Sequence, residues 1–112
     1  LQEAIDFSLK AMKNLTPGGL LLIGDIPNRD MKTRFLDSAY GKTFDQTFKA
    51  NAKEAVVHDR AVEDPIMWQP DDESIIKLIL AICKAGGNAF ILPQPPDLPF
   101  GHTRVDLLIK VF

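Results

Sequence analysis

The chain has 112 residues, the length of one domain and near the lower end for a self-sufficient α/β layer structure. Apolar residues make up 46% and charged residues 25%, a globular balance that excludes a disordered or fibrous chain. A net charge of −2 supplies no basic field for nucleic acid, and no apolar run approaches the roughly 20 residues that span a bilayer.

Leu1 to Asn14 predicts a helix, with Leu1, Ile5, Leu9 and Met12 at helical spacing. It begins at the first residue without a cap and with no secretory signal pattern, so the element is expected to start upstream. Leu15-Thr16-Pro17-Gly18-Gly19 ends it in a tight reversal, because Pro17 fixes φ and the glycines take positive φ cheaply. Leu20 to Ile23 is a continuous apolar run, the pattern of a strand covered on both faces, and it stops on Gly24-Asp25.

A long helical insert follows, residues 27–70. Met31, Phe35, Leu36 and Tyr40 share one face of a short helix that Asp30 could cap and Gly41 could end. Thr43-Phe44-Asp45-Gln46 has the form of a capping box, with Phe44, Phe48, Ala52 and Ala55 continuing at helical spacing. Val56 to Pro70, which holds His58 and Trp68, is expected to be irregular. Asp71-Asp72-Glu73 starts the next helix, apolar nearly all round, and Gly86-Gly87 stops it. Cys83 is the only cysteine, which excludes an internal disulfide and fits a reducing cytoplasm; among Ile79, Leu80 and Ile82 it is expected to be buried. Ala89 to Leu92 reads as a second buried strand. Pro93 to Thr103 is a proline-stiffened loop, and Arg104 to Phe112 a last strand with Val105, Leu107, Ile109 and Val111 on one face.

Two strands separated by a helix predict a parallel, right-handed crossover, and the last two strands, joined by a loop, should be antiparallel neighbours. Both long irregular segments would then leave the same rim of the sheet, the edge at which open α/β sheets bind ligands.

In this order of elements the chain resembles the C-terminal half of a class I S-adenosylmethionine-dependent methyltransferase. Leu15-Thr16-Pro17-Gly18-Gly19 followed by Leu-Leu-Leu-Ile-Gly-Asp is similar to that family's L-x-P-G-G turn and fifth strand. The helix, strand and reversed strand that close the chain are similar to the family's final helix, sixth strand and antiparallel seventh. The resemblance implies a fold that is a three-layer Rossmann-like sheet remnant: helix, parallel strand, helical insert, helix, parallel strand, antiparallel final strand. It implies S-adenosyl-L-methionine as cofactor of an intact protein and a small-molecule acceptor. The glycine-rich loop that follows the family's first strand has no counterpart here, since Gly18-Gly19 and Gly86-Gly87 both precede strands. No cofactor-binding residue is therefore expected in this half, which would be inactive alone.

Candidate catalytic residues are Asp25, at the end of the first strand, and His58 and His102, one on each overhanging segment, as proton acceptors from a hydroxyl or amine. Asn28, Gln94, Arg104 and Trp68 border the same rim as candidate substrate contacts, with Tyr40 as a further pocket residue. Each has a plainer use: strand cap, turn residue, solvated histidine, or packing of the insert. No His, Cys or Asp cluster has metal-ligand spacing, no P-loop is present, and no serine lies in a Gly-x-Ser-x-Gly elbow. An apolar strand whose edge is bare invites pairing, so a homodimer through the edge of the 20–25 strand is expected. The competing expectation is a non-catalytic α/β module for assembly or regulation.

Overall fold

The computed structural model describes residues 1–51 and 68–112. The elements run α1 (Gln2–Met12), β1 (Leu20–Pro27), α2 (Arg29–Asp37), α3 (Ala39–Asn51), α4 (Asp72–Lys84), β2 (Asn88–Pro93) and β3 (Arg104–Lys110). The Pro-Gly-Gly turn is stitched to the end of the chain: Gly18 donates to the Val111 carbonyl at 2.9 Å and Val111 donates to the Gly19 carbonyl at 3.1 Å. Gly18 takes φ +82°, and a Cβ on Gly19 would stand 2.8 Å from the Thr16 carbonyl oxygen. Neither position has an easy substitute for glycine.

The strand order is β1-β3-β2, with both pairs antiparallel. The last two strands are neighbours as expected, but the parallel pair is not formed, because β3 lies between β1 and β2. The reason is in β3 itself. Val105, Leu107 and Ile109 are all buried, the most regular inward alternation in the chain, and a strand so patterned belongs in the middle of a sheet. Since β1 and β2 are each antiparallel to β3, they still point the same way. Pro27 and Pro93 end opposite Arg104 and Val105, so both long segments do leave from one rim.

Nor do the described residues form three layers. Met12 of α1 and Ile75, Leu78 and Ile82 of α4 pack with Ile26, Val105, Leu107 and Ile109 in one core on one side of the sheet. Trp68 packs against this core from the insert. On the other side Leu20, Leu22 and Phe90 are 59%, 56% and 50% exposed. Leu20–Ile23, expected to be covered on both faces, and Ala89–Leu92, expected to be buried, are covered on one face only by the described residues. Cys83 is exposed as well, on the solvent side of α4. An apolar run cannot distinguish a covered face from an uncovered one.

The N-termini of α2 and α4 meet. Asn28, and not Asp30, caps α2, its Oδ1 accepting from the Met31 N–H at 3.1 Å while its Nδ2 donates to Asp72 Oδ1 at 2.8 Å. Asp30 instead accepts the Asp72 N–H at 3.1 Å, and Asp71 caps α4 by accepting from Ser74 at 2.8 Å. Arg34 closes on both carboxylate oxygens of Asp72, at 2.6 and 3.1 Å. Gly41 does not end a helix. Ser38 starts α3 by accepting the Gly41 N–H, and a Cβ on Gly41 would collide with the Phe35 carbonyl. Thr43 consequently sits inside α3, its hydroxyl bonded back to Ala39, rather than capping it. Ala52, Ala55 and the segment holding His58 lie outside the described residues.

Candidate functional site at the strand-end rim

The site is made by one extra residue in β1. Leu21 and Ile23 face the helices, so strict alternation would send Asp25 into the core. Ile23 pairs with Leu107 and Ile26 with Val105, which leaves Gly24 and Asp25 together opposite Asp106: a β-bulge. The bulge resets the phase. Ile26 becomes the buried residue and Asp25 swings outward, its side chain 63% exposed. To do so Asp25 adopts φ +62°, the one positive φ among the described non-glycine residues, a conformation that costs about 1–2 kcal/mol.

Asp106 holds that conformation. Its Oδ1 accepts the Asp25 backbone N–H at 2.9 Å and Gln94 Nε2 at 3.0 Å. These bonds, the backbone one first and Gln94 second, hold the Asp106 carboxyl below its ordinary value. Gln94 also reaches Asp25 Oδ1 at 3.4 Å, and Arg104 Nη1 donates to Asp25 Oδ2 at 2.6 Å. The Arg104 guanidinium lies over the Phe100 ring, 4.5 Å from its centroid, which fixes the plane of its fork. Three of the residues expected at the rim, Asp25, Gln94 and Arg104, are therefore brought into one hydrogen-bonded cluster from the ends of three strands. The organiser, Asp106, was missed. Its signal was available: an acidic residue on the outer side of the last strand, with a strand glycine that marks a bulge.

The other candidates go elsewhere. Asn28 is buried and spent on capping and on Asp72. Trp68 packs on the core. His102 stacks on Phe35 at 4.8 Å with the edges of Phe44 and Tyr40 at 5.2 and 5.4 Å, and its Nε2 is buried without a partner among the described residues. That ring cluster joins α2 and α3 to the proline-rich loop and is separate from the hydrogen bonds around Asp25. His58 lies outside the described residues.

Chemically the cluster offers two carboxylates, one guanidinium and one amide. With one cation against two anions, it suits a ligand that donates hydrogen bonds, such as a hydroxyl or an amine, to the outward Asp25 carboxylate. Among the described residues no group of three or more His, Cys, Asp and Glu could hold a metal ion. No helix of the described residues is long and apolar enough to cross a membrane. Gly18 and Gly86, both at positive φ, lie where chain enters β1 and β2, at the end of the sheet opposite Asp25. Neither lies in a loop that leaves a strand, so neither can cradle a cofactor as a strand-to-helix glycine loop does. Compared with protein-family models, with curated proteins and with solved structures, the chain matches none.

Proposed function

We propose that this chain is the substrate-side portion of an S-adenosylmethionine-dependent methyltransferase acting on a small-molecule acceptor. The observation that carries the reading is the bulge that gathers Asp25, Gln94 and Arg104 at the rim where both irregular segments leave the sheet. The reversed final strand, antiparallel to both of its neighbours, supports it. The methyl donor belongs to elements other than these.

What the chain's own residues do is align the acceptor. Asp25 accepts the acceptor's O–H or N–H, while Arg104 and Gln94 hold the carboxylate in place. Transfer between two bound partners gains most from such alignment. The test is transfer of a labelled methyl group from S-adenosylmethionine to pooled hydroxyl- and amine-bearing small molecules, in extracts expressing the full reading frame that contains this sequence. Incorporation above the empty-vector level that falls about tenfold or more in Asp25→Ala supports the reading. Incorporation equal to the vector control refutes it.

A second reading, a non-catalytic assembly module, is favoured by one different observation: the uncovered apolar face of the sheet.

A further inference from the structure

The outer side of the sheet is a small grid. Its middle row, Leu22, Leu108 and Phe90, is wholly apolar across all three strands. The row above has Leu20, Lys110 and Asn88, and the row below has Asp106 beside Leu92 next to the bulge. Along the central strand the order is therefore anion, leucine, cation. Among the described residues Lys110 has no carboxylate partner and lies only near the Phe112 ring, 5.2 Å from its centroid. Asp106 uses Oδ1 for both of its hydrogen bonds, and its Oδ2 takes none among the described residues.

We infer that this face docks a second copy of the chain, sheet against sheet, about a two-fold axis that crosses the strands at Leu108. Only that axis satisfies the charges. It runs the facing strands antiparallel, sets Leu108 on Leu108 and Leu22 on Leu22, and brings Asp106 of each copy opposite Lys110 of the other. An axis parallel to the strands would put Asp106 on Asp106 and Lys110 on Lys110. Aspartate and lysine side chains together span the roughly 10 Å between packed sheets. The contact is isologous, the commonest form of oligomer, and it buries the apolar sheet face that the described helices leave bare.

The edge of β1 is the poorer dock. The bulge at Gly24–Asp25 interrupts its ladder and Pro27 ends it, both of which discourage edge pairing. The face dimer does not rest on the methyl-transfer reading, which concerns the rim and not this face.

Sedimentation equilibrium of the purified chain tests it. A dimer is expected whose dissociation constant rises about tenfold or more in Lys110→Glu, which places like charges opposite each other, and stays close to wild type in Lys110→Arg. Circular dichroism of Lys110→Glu keeps loss of fold distinct from loss of association. In a Cys83→Ser background, Leu22→Cys alone is expected to form an intermolecular disulfide on oxidation. A chain that stays monomeric at submillimolar concentration overturns the inference and leaves the face to another polypeptide. So does a Leu22→Cys cross-link that forms only when mixed with Phe90→Cys.

Discussion

Asp106 accepts the backbone N–H of Asp25 at 2.9 Å, so a side chain of the last strand fixes the backbone of the first at its one irregular step. Asp106→Ala removes this bond and the one to Gln94, and is expected to lower unfolding free energy by about 1–2 kcal/mol. Asp106→Asn, which keeps an acceptor, loses less. The pH dependence follows from the same bonds. The folded carboxyl lies below its unfolded value, so the stabilisation is complete above the unfolded value near pH 4 and is lost as pH falls through the folded one. Urea unfolding between pH 5 and pH 2 should show a shallower acid loss in Asp106→Asn than in wild type.

Asp25→Gly separates stability from function. Glycine takes φ +62° without strain, so the substitution relieves about 1 kcal/mol of backbone cost while removing the carboxylate that Arg104 and Gln94 hold. Thermal unfolding should shift little or upward, and acceptor binding should be lost. A variant that binds acceptor as wild type does would make Asp25 a strand cap and nothing more.

Asn28 joins the two helix N-termini that flank the insert. Asn28→Ala gives up the cap of α2 and the bond to Asp72 at once, and should cost about 1–2 kcal/mol in chemical denaturation. Asn28→Asp keeps the cap oxygen but sets a second carboxylate against Asp72, and should recover little of that loss.

Cys83, on the exposed side of α4, should react with a thiol reagent in the native protein at close to the rate of a free thiol. Absorbance from one equivalent of aromatic disulfide reagent, with and without denaturant, measures this. Protection in the native protein alone would place another surface over that side of the helix.

Much of this fold was legible where residues carry a local reason. Pro17, Gly18 and Gly19 announced the turn, Asp71 the start of α4, and the alternation from Val105 to Ile109 the last strand. What stayed hidden is what neighbours decide. Leu20–Ile23 reads as covered on both faces and Ala89–Leu92 as buried, and nothing in an apolar run tells which side a helix will take. The central place of β3 is a competition among three strands, won by the one with the cleanest inward pattern. At the rim Asp25, Gln94 and Arg104 were legible from their places beside strand ends. Their junction was not, because it depends on the extra residue at Gly24–Asp25 and on Asp106, 81 positions further along. Trp68 packs on the core, the plainer use its sequence position suggests, while Asn28 is a buried helix cap rather than a turn residue.

The rim is the surface proposed to meet a small molecule. Amide NMR of the labelled chain, titrated with small hydroxyl- and amine-bearing compounds, is the most direct measurement. Shifts concentrated at Gly24 to Ile26, Gln94 and Arg104 to Asp106, and abolished in Asp25→Ala, are the predicted result. No saturable shifts, or shifts gathered at the opposite end around Gly18 and Lys110, would contradict it.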